Sequence, residues 1–464
     1  MAKNLFLFSF IKIILIKLIV KHKAMSTEEM DGWRKTHYTK DVTKDLVEKE
    51  VILGGWVKNY RDLGGLRFIN LQDVYGERQI TLKKGVVSDE IFEKAKVGYQ
   101  YCIMVKGTVK RFEKAPGGIE IIPIEIKILN KTPEKLPIDV TGETTTELDL
   151  RLNNRALDLR SVRNQAVFAI RGEILNSARN FLLDHDFKEI YTPKIIGSAT
   201  EGGTELFPIM YFDKEAFLTQ SAQLYKEQLS GVYERVFEVG PSFRAEKSHT
   251  KRHLCEIVQL DLEMAFADMK DVLEVLEQLV QNVIIDVRDK QMSALKLLGM
   301  EDKTVVPEIP FPRYTYEELL DLLNNKLNLK IEWGEDLSTE ANRKLGQEIP
   351  GYYYITHWPM AIKPFYIMPS KNPKFSESFD LQKGWLELTS GGTRVHNKVQ
   401  LEQALEVKGL NPLAFDSHLR TFDFGMPPHA GFGLGIARWL TVLCGLDDIR
   451  EAVMYPRTPE RLTP

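Results

Sequence analysis

Cysteine is scarce in this chain. Among 464 residues there are three, Cys102, Cys255 and Cys444, and none belongs to a CxxC pair. That usage excludes a disulfide framework and a cysteine-ligated zinc site, and it leads to the expectation of a reducing cytoplasm. An excess of one charge is lacking too: 62 Lys+Arg stand against 65 Asp+Glu, for a formal net charge of −3. A polyanionic partner must therefore be met by a local basic patch. The apolar stretch LFLFSFIKIILIKLIV (5–20) is broken by Lys12 and Lys17 and falls short of the ~20 residues that span a bilayer. Lys21, His22 and Lys23 flank it, no small-x-small cleavage site follows, and the chain turns abruptly polar after Met25. Residues 1–24 fit either a membrane anchor or, the reading preferred, an extension ahead of a true start at Met25 with no stable membrane association expected. GxxxxGK[ST], HExxH and GxSxG are absent, which counts against a phosphate loop, a zincin helix and a nucleophile elbow.

What is present is a globular composition, 43% hydrophobic and 27% charged, in a chain long enough for two or three domains. Residues 25–47 form an N-terminal segment. Residues 48–130 contain five β-rich runs, VILGGWV, RFINLQD, RQITLKK, YCIMVKGTV and GIEIIPIEIKIL, separated by turn signals such as DLGG, VYGE and KAPGG. That spacing predicts a small barrel, with an OB-fold the natural candidate. Residues 131–160 carry prolines and polar residues and predict a hinge with a short helix. From 161 to 464 helical and strand patterns mix. DMKDVLEVLEQLVQNVIIDVRDKQ (268–291) predicts an amphipathic helix, and KEIYTPKII predicts a strand interrupted by Pro193. The fold class expected is α+β: a barrel followed by a larger domain of sheet and helices.

Three segments could carry chemistry. In FEVGPSFRAEKSHTKRHLCEIVQLDLEMAF (237–266), Phe237, Val239, Pro241 and Phe243 share one parity. Glu238, Gly240, Ser242, Arg244 and Glu246 share the other, so a strand would show one apolar and one polar face. The residues alone fit either a solvated hairpin or a site with Arg244 and Glu246 side by side. GFGLGIAR (431–438) sets Gly431, Gly433 and Gly435 at a period of two, with Arg438 just beyond. Such a stripe lets something approach the backbone closely, and helix packing alone would explain it. DFKEIYTP (186–193) is the third.

Taken together and in this order, the segments resemble motifs 1, 2 and 3 of the class II aminoacyl-tRNA synthetases. TPKIIGSATEGGTELFP, QSAQLYKEQL, SESFDL and FDFGMPPHAGFGLG extend the likeness to the archaeal-type aspartyl form over nearly the whole chain from about residue 35. The resemblance implies an OB-fold that reads an anticodon and a class II catalytic domain built on an antiparallel sheet. It also implies ATP and Mg²⁺ as cofactors, a homodimer formed through motif 1, and L-aspartate joined to tRNA(Asp). Arg244 and Arg438 are its catalytic cations, on the α-phosphate and on the far side of the triphosphate. Glu246 would meet the adenine amino group. Arg252 and His253 would reach phosphates and the acceptor end, while Leu254 and Gly435 complete the nucleotide site. Glu387 and Ser390 match the magnesium position, where a carboxylate and a hydroxyl suit a hard cation. Ala437 departs from the glutamate the family often has before its motif 3 arginine.

For the amino acid, the resemblance assigns Lys226 and Arg394 to the side-chain carboxylate. Glu201 and Gln223 go to the ammonium, and Asp380 and Ser390 belong to the same pocket. Taken without it, Lys226 also reads as a solvated helical lysine. Asparaginyl-tRNA synthetases are the alternative, but they typically lack a basic residue at the Lys226 position, and a lysine favours a negative side chain.

For tRNA, Phe68 and Gln79 match positions that stack on and hydrogen-bond the central anticodon base, although Phe68 also suits a barrel core. Lys58, Arg61, Arg67, Arg78, Lys83, Lys84, Lys110, Arg111 and Lys114 offer cations for phosphates. Members that reject tRNA(Asn) carry tryptophan and lysine where this chain has Lys58 and Pro116, so a relaxed enzyme that also charges tRNA(Asn) is expected. Other classes remain: a paralogue making a free amino-acid amide, or a non-catalytic tRNA-binding protein. The barrel argues against the first, and retention of Arg244, Arg438 and Glu387 against the second.

Overall fold

The computed structural model describes residues 27–197, 206–245 and 253–464. It divides into two compact units, Met1–Arg160 and Ser161–Pro464, each taken by itself here. Among the described residues no helix is long and apolar enough to cross a membrane.

The first unit is a closed barrel of β1 (Glu50–Asp62), β2 (Leu66–Asp73), β3 (Gly76–Lys83), β4 (Cys102–Arg111) and β5 (Ile119–Asn130) in the order β1-β2-β3-β5-β4. All five runs read from the sequence are strands. Alternation fills the interior with Val51, Leu53, Ile69, Leu71, Ile80, Leu82, Ile103, Val105 and Ile121. A helix at Asp89–Lys94, N-capped by Ser88, joins β3 to β4 and was not legible in the sequence. It buries Phe92, whose ring lies 4.0 Å from the Arg67 guanidinium and whose carbonyl accepts from it. Arg67 also pairs with Asp62 at 2.8 Å. It is therefore a buried fastener, and the expectation that it serves as a surface cation is corrected.

The second unit centres on an eight-stranded, mostly antiparallel sheet ordered β12-β13-β14-β15-β16-β11-β10-β6. Its strands are β6 (Lys188–Glu189), β10 (Arg235–Phe243), β11 (Glu256–Ala265), β12 (Arg313–Thr315), β13 (Tyr352–Thr356), β14 (Ser378–Lys383), β15 (Leu386–Thr393) and β16 (His429–Gly435). A three-stranded sheet, β7-β9-β8, is built from β7 (Ile195–Ile196), β8 (Pro208–Tyr211) and β9 (Lys214–Leu218). KEIYTPKII is thus not one strand. Its two halves serve different sheets, because Pro193 supplies no N–H to continue a ladder.

Parity separates the two faces of the large sheet. Phe237, Leu260, Leu262, Phe379, Leu381, Phe432 and Leu434 share one core with residues of the Val162–Asp184, Met269–Leu298 and Ile436–Cys444 helices. The Met269–Leu298 helix outruns its expected end at 291. It begins at an Asp268–Asp271 capping box and stops at Gly299, whose φ of 67° suits a left-handed cap. On the opposite face, register aligns Asp380, Ser390, Gly433, Asp261 and Glu238 across β14, β15, β16, β11 and β10. Ser378, Gly392, Gly431, Glu263 and Val236 form the next row. Apart from Val236, these rows set polar side chains and glycines in mid-sheet, a composition suited to binding rather than to an apolar core. The Gln223–Tyr233 helix packs on β10 and β11, and its Lys226 reaches Asp261 on this face.

Candidate active site

A cavity of about 310 Å³ opens on the polar face, within the size range of small-ligand pockets. Gln223, Lys226, Arg244, His253, Leu254, Glu387, Ser390, Arg394, Gly435 and Arg438 line it together. Residues up to 215 positions apart in sequence, Gln223 and Arg438, thus share one wall because the sheet register brings their elements side by side. Glu201, Glu246 and Arg252 lie outside the described residues.

Two cations sit at its buried end. Lys226 is 1% exposed, which rules out the solvated helical lysine. Its Nζ donates to the Phe432 carbonyl at 2.9 Å and to Asp261 Oδ1 at 3.2 Å, and lies 3.5 Å from Glu263 Oε2. Arg394 spreads its guanidinium over the same Glu263, with Nε to Oε1 at 2.9 Å and Nη2 to Oε2 at 3.3 Å. Burial alone would lower its pKa, but the Glu263 charge and hydrogen bonds overcome this and raise it. Removing one member of such a network would cost about 3–5 kcal/mol, because the remaining charge stays buried without its counter-ion. The network therefore fixes both cations in place.

Asp261 and Glu263 were missed by sequence reading. The signal that could have found them is their spacing of two on β11, opposite Gly433 and Gly431. A Cβ on Gly433 would come within 3.1 Å of Asp261 Oδ1, and one on Gly431 would collide with Glu263 and the Leu262 carbonyl. The glycine stripe thus makes room for carboxylates and a neighbouring strand rather than for a helix.

At the outer end, Arg438 Nη1 donates to Glu387 Oε1 at 3.2 Å and to the Glu387 carbonyl at 3.1 Å. The Glu387 side chain remains 43% exposed, open to exchange partners. The Arg244 amide donates to the Cys255 carbonyl at 2.9 Å, closing the neck of the β10–β11 hairpin where Arg244 enters the cavity. Asp380 lies behind the lining and accepts from Lys363 Nζ at 3.0 Å. Burial raises the Asp380 carboxyl, Lys363 pulls it down, and the nearby Glu387 charge pushes it up again. Its Oδ1 is buried with no partner among the described residues. Across β14 and β15, Asp380 pairs with Ser390 and Gln382 with Glu387. Oxygen donors with an orphaned carboxylate oxygen and a raised acid fit a hard divalent cation. Among the described residues no cluster of three His, Cys, Asp or Glu side chains could hold a metal unaided, so a cation here would need a ligand's oxygens.

In the barrel, Arg61 faces Phe68 across β1 and β2, and Phe68 faces Thr81 across β2 and β3. Phe68 is half-buried on the outer face while Ile69 and Leu71 fill the core, so it is not the core phenylalanine its sequence also allowed. Gln79 Nε2 donates to Glu120 at 3.2 Å and to Thr81 at 3.0 Å. Glu120 was not legible as part of this surface, since only the barrel register places it beside Gln79. Lys58 stands at an irregularity of β1 and pairs with Glu77 at 3.2 Å. Pro116 opens the turn before β5.

A family model for class II tRNA synthetases (D, K and N) matches residues 147–459, and one for the OB-fold nucleic acid binding domain matches 51–129. The chain belongs to the class II tRNA synthetase family, with an OB-fold anticodon-binding domain. It is 49% identical over 431 residues to an aspartate–tRNA(Asp/Asn) ligase of Archaeoglobus fulgidus, covering 92% of this chain and 99% of that one. The aspartate–tRNA(Asp/Asn) ligase of Methanocaldococcus jannaschii is 47% identical over 435 residues, with 93% and 99% covered. Among solved structures, asparaginyl-tRNA synthetase from Pyrococcus horikoshii complexed with asparaginyl-adenylate superposes with a TM-score of 0.88 at 34% identity, over 93% of this chain and all of that one.

Proposed function

We propose that this enzyme attaches L-aspartate to tRNA(Asp), and to tRNA(Asn) as well, through an aspartyl-adenylate. The observation that carries the reading is the pair Lys226 and Arg394, both buried and both fixed by carboxylates at the closed end of the cavity. Asparaginyl-tRNA synthetases resemble this pattern and share the arginine, so Lys226 is the discriminating cation: it favours a carboxylate side chain, whereas a neutral amide gains little from it.

In the first step an α-carboxylate oxygen of aspartate attacks the α-phosphorus of ATP, and the bond to pyrophosphate breaks. Arg244 holds the α-phosphate and Arg438 the far phosphates, so positive charge is already in place where negative charge gathers. Gln223 receives the substrate ammonium. Glu387 and Ser390 would hold Mg²⁺, which when bound neutralises phosphate charge, while Asp380 belongs to the aspartate pocket. In the second step the 3′-hydroxyl of the terminal adenosine attacks the acyl carbon and AMP leaves. No side chain need act as nucleophile; catalysis is positioning and charge stabilisation.

Phe68, Arg61 and Gln79 form the anticodon surface, with Glu120 holding the Gln79 amide. Lys58 and Pro116 are the positions that relax reading of the third anticodon base. Exposed Tyr191, Met210, Phe212 and Val232, at 79%, 76%, 86% and 67%, support a homodimer through the motif 1 region. Three free thiols support a cytoplasmic location.

Charging of matched tRNA(Asp) and tRNA(Asn) transcripts with labelled aspartate tests the reading. Acceptance by both supports it. Acceptance by tRNA(Asp) alone removes the roles given to Lys58 and Pro116. Charging with asparagine only would overturn the assignment of Lys226.

A further inference from the structure

Directly after Lys226 comes Glu227, fully buried and used by no step above. Its Oε1 accepts from Gln223 Nε2 at 2.6 Å, one helical turn back on the same helix. Its Oε2 lies 3.3 Å from His418 Nε2 and 3.7 Å from His429 Nε2, ion-pair distances without an aligned hydrogen bond to either ring. These contacts gather three elements on one carboxylate: the Gln223–Tyr233 helix, the Asp416–Phe422 helix and the start of β16.

The protons on this cluster follow from the partners. The Gln228 amide nitrogen lies 3.2 Å from His418 Nδ1 and can only donate, so Nδ1 is an acceptor and Nε2 carries the His418 proton toward Glu227. His429 Nδ1 lies 2.9 Å from the Pro427 carbonyl and must be the donor there. Its Nε2, facing the carboxylate, is then protonated when the ring is charged. Burial works to raise the Glu227 carboxyl, but the two histidines outweigh it and hold it ionised, well below the usual carboxylate range. An ionised carboxylate accepts and never donates. Gln223 must therefore give it the N–H, and the Gln223 carbonyl oxygen is the end left for the cavity that Gln223 lines.

We propose that Glu227, clamped by His418 and His429, is a positioning residue that fixes the Gln223 amide with its carbonyl oxygen toward the substrate's ammonium. A flipped amide would offer an N–H to a cation and repel it, so orientation decides whether Gln223 helps or hinders binding. The inference rests on the role of Gln223 proposed above.

The test compares L-aspartate with succinate, which differs from it only in lacking the ammonium group. In pyrophosphate exchange by the full chain, Glu227→Gln is expected to raise the aspartate KM about tenfold. The ATP KM and the inhibition constant of succinate stay as in the parent enzyme. In a Gln223→Ala background the same change has no further effect, because the residue it positions is gone. Equal weakening of aspartate and succinate, additivity with Gln223→Ala, or an unchanged aspartate KM would overturn the proposal. If Gln223→Ala itself leaves the aspartate KM unmoved, the role of Gln223 falls, a separate outcome that removes the basis of this one. Should Glu227→Gln not fold, Glu227→Asp keeps the charge but withdraws it by one carbon, and the same split between aspartate and succinate is read.

Discussion

The Glu263 carboxylate occupies the space that a Cβ on Gly431 would fill. From there it holds both Arg394 and Lys226. A glycine on one strand thus sets the position of two cations on other elements, through a carboxylate on the neighbouring strand β11. Gly431→Ala must displace both Glu263 and the Leu262 carbonyl. The expected result is a loss of at least about 2 kcal/mol by urea unfolding together with a raised aspartate KM.

Lys226→Met keeps the stem and removes the charge. Asp261 then loses its cation and Glu263 keeps only Arg394, so a loss of about 3–5 kcal/mol is expected in denaturant unfolding. Aspartate activation should fall by more than about a hundredfold in kcat/KM. Retained aspartate activation in a folded variant would remove Lys226 from the carboxylate site.

The His429–Glu227 pair makes stability depend on pH. Burial works to lower the His429 pKa, but attraction to Glu227 and Glu263 and the hydrogen bond to the Pro427 carbonyl outweigh it and raise it above the ordinary 6.5. The folded state therefore holds this proton more tightly than the unfolded chain does. The stabilisation is complete below pH 6.5 and is lost as pH rises through the folded value. Melting temperature should decline on the alkaline side, and His429→Gln should flatten that decline while lowering stability at about pH 6.

Glu387→Gln tests the cation site. Weaker charge at an oxygen donor should raise the Mg²⁺ concentration for half-maximal pyrophosphate exchange by at least about tenfold. Chelation should abolish exchange in both enzymes. An unchanged Mg²⁺ requirement would place the cation elsewhere.

Phe68→Ala tests the barrel. Base–aromatic stacking contributes about 1–3 kcal/mol, so the ratio of tRNA charging to pyrophosphate exchange should fall about tenfold or more. A ratio that does not move would return Phe68 to a packing role.

The amino-acid sequence by itself determined a good deal. Period-two alternation marked all five barrel strands and the polar parity of β10, because an extended chain must turn successive side chains to opposite faces. Helical periodicity found the core of the Met269–Leu298 helix, and the resemblance to the class II synthetases marked Lys226, Arg244, Glu387, Arg394 and Arg438. These are local signals, carried within a few residues of one another.

Only the tertiary structure decided what those residues touch. Asp261 and Glu263 drew no reading from the sequence; register sets them against Gly433 and Gly431. Glu227 carries no reading in the sequence; the fold closes His418 and His429 over it. Arg67 read as a surface cation until the Asp89–Lys94 helix brought Phe92 to it. In each case the partners lie on different elements, and for the strand residues a one-residue slip in register would send the side chain to the other face. Pairing of that kind is a property of the assembled sheet and its covering helices, and no window of sequence contains it.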